Sequence, residues 1–170
     1  KAGGLNQADL TSDDMYYTKA EMKSMIQNYR KLGLDIIPEF DTPAHSLSFT
    51  KVRPDLRFGT TGRQNDHFNL NTKYDESLAF VESIWDEYIK GDDPVFDQDT
   101  IVNIGTDEYD GQYTEQFRKF TDDLLAYIQD NGNTVRLWGS LTARSGSTSV
   151  RSEGVQMNIW NDGWANPKAM

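Results

Sequence analysis

Asp107 and Glu108 are adjacent carboxylates that follow the apolar run Ile101-Val102-Asn103-Ile104-Gly105. Like charges this close disfavour joint ionisation, so one carboxyl is expected to keep its proton nearer neutral pH than the other. That division suits acid catalysis: the protonated member can donate to a leaving oxygen, and the ionised one can hold a polar group of a substrate. A second group, Glu39, Asp41 and His45, follows another apolar run, and Pro38 and Pro43 stiffen its loop. A histidine beside carboxylates can orient or tune one of them, or share a divalent cation with them. Taken alone, the same residues also suit solvated loop acids and a histidine in a structural hydrogen bond, the reading that fits His67.

The elements that must position these residues alternate along the chain. Thr18-Lys19-Ala20-Glu21 reads as a capping box, and Met22, Met25, Ile26, Tyr29 and Leu32 recur at helical spacing before Gly33, which predicts a helix over 19–32. An apolar, β-branched run over 34–40 reads as a buried strand. After a long polar segment from Thr42 to Tyr74, the stripe Leu78, Val81, Ile84, Trp85, Tyr88 and Ile89 predicts a helix over 75–90. A strand over 100–105 follows, then a helix capped by Thr114 and ended by Asn131-Gly132, then strands over 134–138 and 155–160. Between Gly139 and Gly154 there is no helical periodicity, so one crossover helix is missing or reduced.

Alternating strands and helices imply an α/β fold with parallel strands, in which chemistry collects at the C-terminal strand ends. Glu39, Asp41 and His45 fall after the first strand, Asp107, Glu108 and Tyr109 after the second, Trp138 at the third, and Trp160 and Trp164 at the fourth.

With 27 Asp plus Glu against 17 Lys plus Arg, the net charge of −10 repels phosphate backbones and argues against nucleic acid as a partner. There is no cysteine, hence no disulfide framework or thiolate site. No apolar run approaches a membrane span, and Lys1-Ala2-Gly3-Gly4 lacks the apolar core of a signal peptide. Four Trp and eight Tyr supply flat apolar faces of the kind that pack on sugar rings, although Trp160 and Trp164 serve equally well as core residues.

The run Asp-Ile-Ile-Pro-Glu-Phe-Asp-Thr-Pro-Ala-His over 35–45, followed by Ile-Gly-Thr-Asp-Glu over 104–108, resembles glycoside hydrolase family 20, the β-N-acetylhexosaminidases and lacto-N-biosidases. The Asn69-Leu70-Asn71 turn, Leu137-Trp138-Gly139 and the segment 158–164 are similar to bacterial members as well. The resemblance implies a glycan substrate bearing N-acetylhexosamine, no cofactor and no metal. It also implies substrate-assisted hydrolysis, in which the 2-acetamido oxygen of the sugar attacks the anomeric carbon. Glu108 would then be the general acid and base, Asp107 would orient the acetamido group while ionised, and His45 with Asp41 would tune Glu108. Trp138 would wall the acetamide pocket, with Trp160, Tyr109 and Glu39 as further substrate contacts and the loop from Ser46 to Asn71 setting specificity. A secreted or bacterial surface location is implied on the same ground.

Three residues depart from the family pattern: Asn103 stands where a His is common, Thr106 where a second Gly is common, and Ala44 where the first motif usually has Gly. The extent also differs. A single 170-residue domain with four strands corresponds to the third to sixth strands of a TIM barrel, which has eight strands and needs about 200 residues or more. The isolated segment is therefore expected to be weakly active or inactive, with its open barrel edges inviting self-association. Two other readings remain open on the residues: a metal-dependent hydrolase using Glu39, Asp41, His45, Asp107 and Glu108, and a non-catalytic carbohydrate-binding module derived from a hydrolase.

Overall fold

A computed structural model describes residues 16–168, so the N-terminal residues Lys1–Gly4 discussed above lie outside the described part. Four parallel strands form one sheet in sequential order: β1 (Glu39–Thr42), β2 (Val102–Gly105), β3 (Val135–Trp138) and β4 (Val155–Asn158). Parallel neighbours require crossovers, and helices α3 (Tyr74–Ile89) and α4 (Thr114–Asp130) supply the first two. Helix α1 (Lys19–Lys31) precedes β1 and starts at the predicted capping box, where Thr18 and Glu21 each satisfy the other's free amide. No helix lies between β3 and β4, as the absent periodicity implies. On that side Leu137, Leu141, Val150, Val155 and Met157 line a cleft of about 610 Å³.

The two faces of the sheet differ in chemistry because side chains alternate along a strand. Val102, Ile104, Val135 and Leu137 point to the helices and are at most 1% exposed, packed with Trp85, Phe117, Phe120, Leu124 and Ile128. The other face carries a polar row in register across all four strands: Glu39 opposite Asn103, Asn103 opposite Arg136, and Arg136 opposite Gln156. Asn103 Nδ2 donates to Glu39 Oε2 at 2.6 Å, and Arg136 donates to Gln156 Oε1 from Nε at 3.1 Å and Nη2 at 2.7 Å. Hydrophobic burial therefore lies between sheet and helices, leaving the opposite face for polar groups.

Three expectations need correction. The first strand begins at Glu39, not Leu34, because Pro38 has no amide to extend the ladder and Leu34 remains 57% exposed. Thr114 is the first residue of α4 instead of its cap. A turn over Gly111–Tyr113 precedes it, and the Asp110 side chain accepts the Gln112 amide there. The segment after β1 is not plain loop: it folds into α2 (Leu47–Val52) and two short turns, Pro54–Leu56 and Gly62–Asp66. Leu56, Phe68 and Leu70 anchor it in the core, at most 1% exposed. Among the described residues the outer edges of β1 and β4 pair with no further strand, and the expected self-association has no observation behind it. No helix among them is long and apolar enough to cross a membrane.

Candidate active site

The turn after β2 is built from uncommon backbone. Gly105, Thr106 and Glu108 have φ of 74°, 63° and 49°, and His45 at the facing turn after β1 has 53°. His45, Thr106 and Glu108 are the non-glycine residues with left-handed backbone among those described, and all belong to the two motif turns. Such conformations cost free energy and persist where the surroundings over-determine them. Here the Thr106 amide donates to the Thr42 carbonyl at 2.9 Å, the Gly105 amide to Asn103 Oδ1 at 3.0 Å, and the Glu108 amide to Ser140 Oγ at 3.1 Å. Gly105 must be glycine for a second reason: a Cβ there would lie 2.0 Å from Asp41 Oδ1.

These turns bring His45 onto both carboxyls. Its Nε2 lies 3.2 Å from Glu108 Oε2 and 3.6 Å from Asp107 Oδ1, while its Nδ1 lies 3.8 Å from Asp66 Oδ2. Asp66 in turn takes a 2.7 Å contact from the ring of His67. His67 is buried and stacks on Tyr109 with ring centroids 4.9 Å apart, in keeping with its structural reading. Asp41 and Asp107 each keep one buried carboxylate oxygen, Oδ1 in both cases, without a protein hydrogen-bond partner. One oxygen of each and a ring nitrogen of His45 fall within 4.8 Å of one another. That spacing is open to a divalent cation with ligands at about 2.0–2.6 Å. Glu39 does not join this group, since its Oε2 is taken by Asn103 Nδ2 and by Trp138 Nε1 at 3.1 Å.

The electrostatics differ from the simple two-acid expectation. Burial, then Asp107 and then Glu39, push the Asp41 carboxyl up to about 8. Burial also pushes Asp107 above the usual carboxylate range, opposed by His45 and reinforced by Glu108 and Glu39. In the structure the upward push falls on Asp107 and Asp41, because these are the carboxyls turned inward against the sheet end.

The predicted contacts divide. Trp138 stands at the end of β3 with its indole fixed by Glu39. Trp160 is 41% exposed, donates from Nε1 to the Gly139 carbonyl at 3.1 Å and stacks on Trp164 with centroids 5.7 Å apart. Tyr109 cannot touch a substrate as expected: it is fully buried, and its hydroxyl donates to the Phe68 carbonyl at 2.7 Å and accepts from the Leu70 amide at 3.2 Å. Sequence reasoning missed Asp66, which lies in a segment without periodicity, and Ser140, which has only its place two residues after Trp138 to mark it. Asn103, noted as a departure from the common His, serves as a two-sided tether between Glu39 and the Gly105 amide.

The profile of the glycosyl hydrolase family 20 catalytic domain matches residues 2–170. The chain belongs to glycosyl hydrolase family 20. It is 24% identical over 167 residues to the lacto-N-biosidase of Bifidobacterium bifidum, covering 90% of this chain and 13% of that protein. It is 31% identical over 113 residues to the β-hexosaminidase subunit β of Homo sapiens, covering 62% of this chain and 19% of that one. Among solved structures it is similar to the tandem catalytic modules of the pneumococcal exo-β-D-N-acetylglucosaminidase, with a TM-score of 0.74 at 18% identity, covering 92% of this chain and 42% of that one. A β-N-acetylhexosaminidase from Bacteroides fragilis superposes with a TM-score of 0.64 at 18% identity, over 86% of this chain and 31% of that one. The family 20 chain thus spans less than half of the relatives it matches, and its four strands form part of a TIM barrel. Family 20 membership makes it a glycoside hydrolase sequence within a larger parent and favours that reading over the metal-dependent and binding-module alternatives.

Proposed function

We propose that the protein carrying this chain releases terminal β-linked N-acetylhexosamine, or a lacto-N-biose unit, from glycans by substrate-assisted retaining hydrolysis. The observation that carries the reading is His45 Nε2 set 3.2 Å from Glu108 Oε2 and 3.6 Å from Asp107 Oδ1, which joins the two motifs in one constellation. In the first step the substrate's acetamido oxygen forms a bond to the anomeric carbon as the glycosidic bond breaks, and Glu108 gives its proton to the departing oxygen. Asp107, whose ionised form His45 at 3.6 Å favours against the upward push of burial, accepts the acetamido N–H, which orients the attacking oxygen and offsets the positive charge of the oxazolinium intermediate. Water then attacks the anomeric carbon with Glu108 as base, restoring the acetamido group and the protonated acid. Trp138 walls the acetamide pocket, Trp160 offers a sugar face, and the segment from Ser46 to Asn71 sets specificity beyond the first sugar.

The test is turnover of aryl N-acetyl-β-glucosaminides and N-acetyl-β-galactosaminides, and of an aryl lacto-N-bioside, by the full parent enzyme. Cleavage of one of these, reduced by a factor of about 10³ or more in Glu108→Gln, is expected for loss of the proton donor. No cleavage of any, or full activity in Glu108→Gln, overturns it. A secreted or bacterial surface location belongs to the same proposal, and fractionation of the source cells with an antibody to this chain checks it.

A further inference from the structure

The dipeptide Glu108–Tyr109 is gripped at both ends by one turn of the segment that follows β3. On its amino side the Glu108 amide donates to Ser140 Oγ at 3.1 Å, and on its carboxyl side the Tyr109 carbonyl accepts from Arg144 Nε at 2.6 Å. Ser140 and Arg144 are themselves joined, the Arg144 amide donating to the Ser140 carbonyl at 2.9 Å, so the two grips form one piece. That piece is fixed from behind. Ser140 is fully buried, and a Cβ at Gly139 would lie 2.3 Å from Ala165 Cβ. The Arg144 guanidinium rests 4.6 Å over the ring of Trp164.

The grip matters because Glu108 has a φ of 49°, a conformation that residues with a Cβ avoid. Relaxation to ordinary backbone would turn its side chain away from His45 Nε2, now 3.2 Å from the carboxyl. We propose that Ser140 and Arg144 are positioning residues: by clamping the peptide groups on either side of the Glu108–Tyr109 pair, they hold the left-handed backbone of Glu108 and so aim the proton-donating carboxyl at the leaving oxygen. The inference rests on the proposed role of Glu108 and adds to it the two residues that place it. Neither residue touches the substrate in this account.

A merely structural role would lower all activity alike, whereas a role in aiming the acid shows only where a proton is needed. The test therefore compares kcat/KM of the full parent enzyme for phenyl and 2,4-dinitrophenyl N-acetyl-β-hexosaminides. The first leaving group needs protonation and the second departs without it. Ser140→Ala is expected to lower kcat/KM about tenfold for the phenyl glycoside, the scale of one buried hydrogen bond, and less than about threefold for the dinitrophenyl one. Arg144→Gln should show the same asymmetry and carries the test if Ser140→Ala does not fold. Equal losses on both substrates, no loss, or loss of fold in both variants overturns the clamp. Should the wild type cleave both substrates and Glu108→Gln lose the phenyl activity while the clamp variants stay flat, the clamp alone fails. A wild type that cleaves neither substrate removes the reading of Glu108 and the clamp with it.

Discussion

Burial in the turn after β1, reinforced by the neighbouring carboxyls of Asp107 and Glu39, pushes the Asp41 carboxyl up to about 8. The consequence for stability has a definite sign. An unfolded Asp titrates at about 3.9, whereas Asp41 in the folded chain titrates at about 8. Between those values the folded state binds the proton and the unfolded state does not, so stability falls as pH rises through that window and levels off above it. Asp41→Asn keeps the shape and cannot ionise. Its melting temperature relative to wild type is expected to rise steadily from pH 4 to pH 8, roughly the window between the two pKa values, and then to stay flat. A difference independent of pH would show that Asp41 is ionised in the fold. For activity, Asp107→Asn keeps the turn yet replaces with an amide the carboxylate proposed to accept the substrate's acetamido N–H. It is expected to lower kcat about 10²-fold or more while the fold, read by circular dichroism, is unchanged.

At the scale of the elements, the strand ends work because β1 and β2 approach so closely that Gly105 has no room for a side chain. Gly105→Ala would set a methyl 2.5 Å from Asp41 Cα on backbone already at a φ of 74°. A loss of about 3 kcal/mol or more is expected, measurable by urea unfolding, because neither neighbour can give way without moving the strand. The helixless connection between β3 and β4 is held by another device. Glu115 at the start of α4 accepts the Ser147 amide at 2.7 Å, the Thr148 amide at 2.8 Å and the Thr148 hydroxyl at 2.5 Å. These bonds hold its carboxyl down to about 2, so their contribution is present above the ordinary Glu value and is lost as pH falls toward 2. Glu115→Gln is expected to speed hydrogen exchange at the Ser147 and Thr148 amides relative to those of β3. Unchanged exchange would mean that the segment is held elsewhere.

At the scale of the molecule, one sheet separates two kinds of surface. Its helix side is a packed apolar core, and its other side carries the polar row from Glu39 to Gln156 that leads up to the two motif turns. In an eight-stranded barrel that side faces the closed interior, and a ligand at the C-terminal strand ends is contacted from loops all around the ring. The chain covers 42% of the pneumococcal structure, so only part of such a ring is present in it. The isolated 170-residue chain is expected to turn over aryl N-acetylhexosaminides at no detectable rate under conditions where the parent enzyme is active. Measurable turnover abolished by Glu108→Gln would show that these four strands suffice.

Much of this molecule was legible from local pattern. The capping box at Thr18, the stripes that became α3 and α4, and the absence of a helix after β3 follow from side-chain periodicity and cap chemistry, which act over a few residues. The two motifs named the residues that meet, Asp41 and His45 from one turn and Asp107 and Glu108 from the other. What the tertiary structure decided is how they meet. Tyr109, which stands at a strand end like the acids, turns into the core because its hydroxyl finds the Phe68 carbonyl forty-one positions away. Asp66 and Ser140 reach the site from segments with no pattern of their own. Which carboxyl is pushed toward its protonated form is likewise set by burial and neighbours from other turns. The physical reason is common to all three: sequence periodicity reports the face a side chain presents, whereas hydrogen-bond partners, burial and pKa depend on groups distant in the chain, brought close only when β1, β2 and β3 align.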